Sequence, residues 1–239
     1  MEILLFGFLY SSLGFLIGGA IAWLFKEFKE KISIINAVCA GLIFGLISIE
    51  IFPKAIELGG WFITIVGVTI GMIIFELLHK VSQHNQMNRN ISKERIYNRV
   101  GLLLILSFSI HNFPMGITLA TSQEYDFTIS LLQTILFHNI PEGIILYTPL
   151  IMMGINFLNG ILISFFVSVP VALGFFIGSF VDLNHPFIST SLISFTVGII
   201  LMVTVSEILL PVMEKSTLHR ILIYTLIGIG IMGIYLKLF

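Results

Sequence analysis

The sequence predicts an all-α integral membrane protein, with eight transmembrane helices in a compact bundle and both termini outside. Three observations carry this. The 239 residues are 57% hydrophobic and 10% charged, with a mean hydropathy of +1.05, whereas a soluble domain carries about 25% charge. The apolar residues gather in eight runs, each near the roughly 20 residues that cross a bilayer core of about 30 Å as a helix. The lysines and arginines fall almost entirely in alternate connections between those runs. Helices are required because lipid cannot satisfy open backbone groups, and the runs are too continuous for barrel strands.

The first run, 3–25, follows Met1-Glu2 without the basic stretch of a secretory signal, so it is expected to remain as a helix. The second and third, 34–55 and 60–79, lead into a polar, basic loop over 80–97. The fourth and fifth, 98–120 and 128–150, carry most of the buried polar groups. The sixth, seventh and eighth, 157–181, 187–212 and 219–239, follow with short polar connections. Nothing marks a second domain, so residues 1–239 are read as a single transmembrane domain. Cys39 is the only cysteine, which excludes an internal disulfide and a cysteine-built zinc site. A net charge of −1 gives no sign of nucleic-acid binding.

Eight crossings put both ends on one side. The other side holds Lys26, Lys29, Lys31, Lys80, Arg89, Lys93, Arg95, Arg99, Lys215 and Arg220, against Lys54 and Lys237 on the side of the termini. The positive-inside rule then makes the basic loop cytoplasmic and both termini extracytoplasmic. The outer loop Ser122 to Phe127, with Glu124 and Asp126, reads either as a solvated loop or as a weak attractor of cations.

Ionisable groups inside membrane helices cost about 2.5–3.5 kcal/mol on insertion scales and are functional candidates. Here they are Glu50, Glu76, His111, His138, Glu142 and Glu207, with His79 near the inner edge of its helix and expected at the interface. Five of the apolar runs hold them, and two hold a repeated phrase. His111-Asn112-Phe113-Pro114-Met115-Gly116 returns, 27 residues on, as His138-Asn139-Ile140-Pro141-Glu142-Gly143. His111 lies nine residues before the end of its run and His138 ten after the start of its own, so they share a depth. Positions i and i+4 share a helix face, which groups His111 with Met115 and His138 with Glu142. Pro114 and Pro141 free the carbonyls of Ile110 and Phe137 beside the histidines. Gly116 and Gly143 allow close helix approach one turn later. If the faces meet, two imidazoles and a carboxylate converge in mid-membrane, a set suited to a borderline divalent metal such as zinc. Met115 stands beside them either as a soft, weak ligand or as apolar filler.

These phrases resemble the binding motifs of the ZIP family of metal transporters (Zrt/Irt-like, zinc–iron permeases), commonly H-N-x-P-E-G in the fourth helix and H-x-x-P-E-G-like in the fifth. The stretches Ala40 to Glu57, "AGLIFGLISIEIFPKAIE", and Val197 to Glu214, "VGIILMVTVSEILLPVME", look like the family's second and seventh helices. They share Glu50-Ile-Phe-Pro53 and Glu207-Ile-Leu-Leu-Pro211, a faint echo of an inverted repeat. The resemblance implies an inverted-repeat 3+2+3 arrangement, alternating access by one bundle moving against another, and a primary metal site of His111, the Met115 position, His138 and Glu142. It also implies a second, adjacent metal sharing the i+4 carboxylates and using Asn112, Asn139 and a glutamate before the proline of the sixth helix. This chain departs at Met115 and at Val169, which precedes Pro170. One carboxylate is too few to offset the repulsion of two close dications, so a single-metal site is expected.

The expectation is therefore a multi-pass protein of the cell (plasma or inner) membrane that moves zinc, or a similar first-row ion such as iron, manganese, cobalt or nickel, or cadmium, toward the cytoplasm. Its partners would be divalent metal ions and the lipid bilayer, with no nucleic acid and no cofactor beyond the transported metal. Glu50, Glu76 and Glu207 read either as pathway groups or as structural partners. Gly174, Gly178, Gly228, Gly230 and Gly233 allow tight packing within the chain or a homodimer face. Two other classes compete. One is a degenerate member that binds or senses metal without transport. The other is an intramembrane metalloenzyme, disfavoured because H-E-x-x-H is absent and Glu142 is committed as a ligand, leaving no general base.

Overall fold

The structure, a computed structural model of the chain, describes residues 2–25, 29–84, 93–121, 125–180, 186–214 and 216–238. Within them all regular structure is helical. Helix α1 spans Glu2–Leu24 and α2 Lys29–Leu46, which continues through a π-helical segment, Ile47–Ile51, into α3, Phe52–His84. Helices α4 (Lys93–Thr121), α5 (Tyr125–Met152) and α6 (Phe157–Gly178) follow. Helix α7, Pro186–Val203, runs through a second π-helical segment, Thr204–Leu209, into the short α8, Leu210–Met213, and α9 spans Leu218–Leu238. Residues 85–92 of the expected basic loop and 122–124 of the expected outer loop, with Glu124, lie outside the described residues, as do Lys26, Arg89 and Lys215. Helices α3 and α4 reach further into the polar 80–97 stretch than hydropathy suggests, because Lys, Glu and Arg are good helix formers once outside lipid.

Seven helical stretches among the described residues are long and apolar enough to cross a membrane. One of them, Ser33–Val81, has 49 residues, about 74 Å of helix and more than twice a bilayer core. It is not a single rod. Gly60 sits at φ 78° and ψ 168°, a region essentially reserved for glycine, and the helix breaks there. The two π-helical segments have a local cause. Pro53 and Pro211 have no N–H for the carbonyls of Ile49 and Glu207, four residues back in each segment, so the regular ladder fails there and a wider turn takes its place.

The helices pack as two groups. Helices α1, α4, α5 and α6 contact one another, with α1 against α5 and α4 against α6 most extensive. In the other group α3 lies against α7 and α2 against α9, and the second π-helical segment packs on α2. Helices α4 and α7, and α2 and α5, join the groups. All four principal crossings are made through glycine. A Cβ on Gly18 would collide with the Ile140 carbonyl and Gly143, and one on Gly116 with the Val171 carbonyl. Gly41 against Gly228, and Gly71 against Gly198, make the equivalent contacts in the other group. Without a hydrophobic force between helices in lipid, such close backbone approach is a main source of adhesion. Gly174 and Gly178 also pack against α4, whereas Gly230 faces open space.

Candidate metal centre

Each histidine of the repeated phrase lies one residue beyond a carbonyl that the following proline leaves without its helical donor. The repeat therefore puts two weakened helical turns side by side, on α4 and α5. His111, His138 and Glu142 come together between them, each no more than 3% exposed. One ligand atom from each lies within 4.8 Å of the others. The imidazole rings stand edge to face, centroids 5.7 Å apart, and His111 Nε2 is 3.7 Å from Glu142 Oε1. Two ligands at about 2.1 Å from one tetrahedral ion stand about 3.4 Å apart, so side-chain adjustments of about an ångström would close the set on a cation.

One of the three groups has a hydrogen-bond partner that orients it. His138 Nδ1 lies 2.6 Å from the Thr134 carbonyl. A carbonyl only accepts, so Nδ1 carries the proton and Nε2 is left with a lone pair that could bind a cation. That Nε2, both nitrogens of His111, Oε2 of Glu142 and the amide oxygens of Asn112 and Asn139 are buried without a protein partner. Unpaired groups of this kind are costly in an apolar interior. A cation would answer most of the deficit, because these oxygens and one lone pair on each imidazole are acceptors, while the second His111 nitrogen is a donor.

Asn112 and Asn139, both fully buried, use their amide nitrogens away from the cluster. Asn112 donates to the Val167 carbonyl of α6 at 3.0 Å, and Asn139 to the Ser11 hydroxyl of α1 at 2.8 Å. Met115 is half-buried and packs against the Leu119, Leu132 and Ile135 cluster. It belongs at least to the apolar wall beside the site.

The remaining sequence candidates sit elsewhere. Glu207, in the second π-helical segment, is buried with its carboxylate 2.8 Å from His79 Nδ1 on α3. The side chain of His79, expected near the inner edge of its helix, is 17% exposed and turned toward Glu207. Glu76 is not buried, since its side chain is 43% exposed and lies 3.3 Å from Lys80 one turn on. Glu50, in the first π-helical segment, is half-buried. None of these three glutamates joins the histidine cluster. Val169, read from the sequence as an emptied ligand position, is 41% exposed and faces outward. From α6 it is the Val167 carbonyl that reaches α4 and Ser168 that reaches α1. Ser11, Ser168 and Thr134 were missed by sequence reasoning; the only signal was a pair of small polar residues, Ser11-Ser12, in an apolar run.

Comparison with known proteins places nearly the whole chain beside two relatives of similar length. An uncharacterised protein of Methanocaldococcus jannaschii is similar, with 28% identity over 236 residues covering 96% of this chain and 97% of the relative. The zinc transporter ZupT of Streptococcus mutans serotype c is 28% identical over 245 aligned positions, covering 93% of this chain and 92% of its own. A sequence profile described as ZIP zinc transporter matches residues 76–236, a span holding both histidine phrases and helix α6, which buttresses the first of them. With two thirds of its length inside that profile, this multi-pass membrane chain belongs to the ZIP zinc transporter family.

Proposed function

We propose that the protein carries a divalent metal ion, zinc or a similar first-row ion, across the membrane toward the cytoplasm through the His111, His138 and Glu142 site. The observation that carries this reading is the convergence of these three buried groups on facing helices in the interior of a helical membrane protein. Ionisable groups there are expensive, and a passing cation is the partner that makes them tolerable. Family membership and the ZupT relative support the same class of cargo.

We read the cargo as one ion at a time. Glu142 is the only carboxylate in the cluster. It offsets half the charge of one dication, whereas two ions would leave three uncompensated charges in a low-dielectric interior. A lean site also favours release, since conduction requires binding weak enough to leave. Asn112 and Asn139 would add neutral oxygens.

Eight crossings with both termini outside remain the topology that fits best. The break at Gly60 divides the 49-residue stretch into two, and the lysine and arginine distribution sets the orientation. The 3+2+3 repeat is supported by the packing. Exchanging α1 with α6, α4 with α5, α2 with α7 and α3 with α9 turns each principal crossing into another: α1–α5 into α6–α4, and α3–α7 into α9–α2. The two helix groups are the natural units for alternating access.

Zinc uptake into proteoliposomes, read by a zinc-sensitive dye inside, tests the proposal. Wild-type protein should fill the vesicles, and Glu142→Ala should abolish the flux. Zinc binding that Glu142→Ala removes, without any wild-type flux, would instead make the chain a metal-binding sensor.

A further inference from the structure

A hydrogen-bonded row of side chains starts at Asn139, the residue after the cluster's His138, and has a forced direction. The Asn139 amide nitrogen donates to Ser11 Oγ at 2.8 Å. Ser11 Oγ donates to Ser168 Oγ at 3.0 Å, and Ser168 Oγ donates to the Ser164 carbonyl at 2.8 Å. Both serines and Asn139 are fully buried, so no water competes. The row ends on a backbone carbonyl, which can only accept. Ser168 must therefore spend its one proton on Ser164, and it can only accept from Ser11. Ser11 must spend its proton on Ser168, and it can only accept from Asn139. The amide of Asn139 consequently has to turn its NH₂ to Ser11, and its oxygen is the end left unpartnered.

We propose that Ser11 and Ser168, which lie outside the repeated phrase, are positioning residues that hold the Asn139 carbonyl oxygen toward the transported cation. The proposal rests on the metal site described above and adds to it a reason why a neutral amide there presents an acceptor. An amide free to flip would present two N–H donors to a cation in half of its orientations. Asn112 needs no such device, because its nitrogen is fixed directly by the Val167 carbonyl. The row orients and does not conduct. It stops at a carbonyl that holds no proton to pass on, and the neighbouring Ser164 Oγ is engaged separately with the Tyr147 hydroxyl at 2.6 Å.

Ser168 is the informative position, because its row reaches Asn139 only through Ser11. Equilibrium zinc binding to the purified full-length protein in detergent, with the absorption spectrum of bound Co²⁺ as a second readout, tests the idea. Ser168→Ala should weaken zinc binding by about 10–100-fold, the usual cost of losing an outer-shell partner, and should alter the Co²⁺ spectrum. Asn139→Asp presents an oxygen whichever way it turns, so on that background Ser168→Ala should change neither readout. Equal weakening on both backgrounds would reduce Ser168 to a packing residue and overturn the proposal. So would zinc binding that Glu142→Ala abolishes and Ser168→Ala leaves untouched. Wild-type protein that binds no zinc, with Glu142→Ala making no difference, would overturn the metal site itself together with this proposal.

Discussion

The two copies of the repeated phrase occupy equivalent surroundings and do different things. In each, a proline frees a carbonyl beside a histidine, an asparagine donates to a neighbouring helix, and a glycine lets that helix approach. The α4 copy leans on α6 through Asn112 and Gly116, and the α5 copy leans on α1 through Asn139 and Gly143. The difference is at the fifth residue. Glu142 is 2% exposed and joins the histidines, whereas Met115 is half-buried against Leu119, Leu132 and Ile135. The shared residues build the frame, and the one that differs sets the charge the frame can hold.

Five substitutions would break or sharpen this contrast. The largest effect belongs to Glu142→Ala, which removes the only carboxylate of the cluster; zinc flux into proteoliposomes should disappear while the protein remains folded. Next come Gly143→Val and Gly116→Val, which should damage the two copies alike. The new side chains would meet the backbone of Phe15 and the Val171 carbonyl respectively, and such overpacking costs about 1–3 kcal/mol. Thermal unfolding in detergent should show similar drops for the pair, and a drop for only one would deny their equivalence. Met115→Glu should have a smaller effect of opposite kind. By making the copies alike it should raise bound metal from one ion per chain toward two, counted by elemental analysis against protein. Met115→Leu should do least, with stability changed by under about 1.5 kcal/mol for a volume-conserving swap and zinc uptake unaltered. A clear loss of uptake in that variant would mean that the thioether touches the cargo.

Much of this was legible along the chain. The apolar runs announced helices because lipid leaves the backbone no alternative, and the His–Glu spacing announced a shared face because the helical period is fixed. What stayed hidden depends on contacts distant in sequence. Ser11 meets Asn139 across 128 residues, and a serine in an apolar run carries no mark of its partner. His79 and Glu207 looked like separate groups until α3 and the second π-helical segment brought them together. Glu76 looked buried because hydropathy averages around a helix, while exposure depends on which side faces out. Val169 was misread for the same reason: its neighbour Pro170 fixed its place along the helix and said nothing of its direction.

The glycine crossings also act as a gauge. Each histidine stands five residues before the glycine at which its helix meets a neighbour, in both copies. The meeting point cannot slide, since any other residue there would strike backbone, so the glycine fixes both the depth and the azimuth of the imidazole. One residue inserted between them would turn the ring by about 100° and shift it by about 1.5 Å, taking it off the cluster without altering a single ligand. The distance between histidine and glycine is thus as much a part of the proposed site as the imidazole itself.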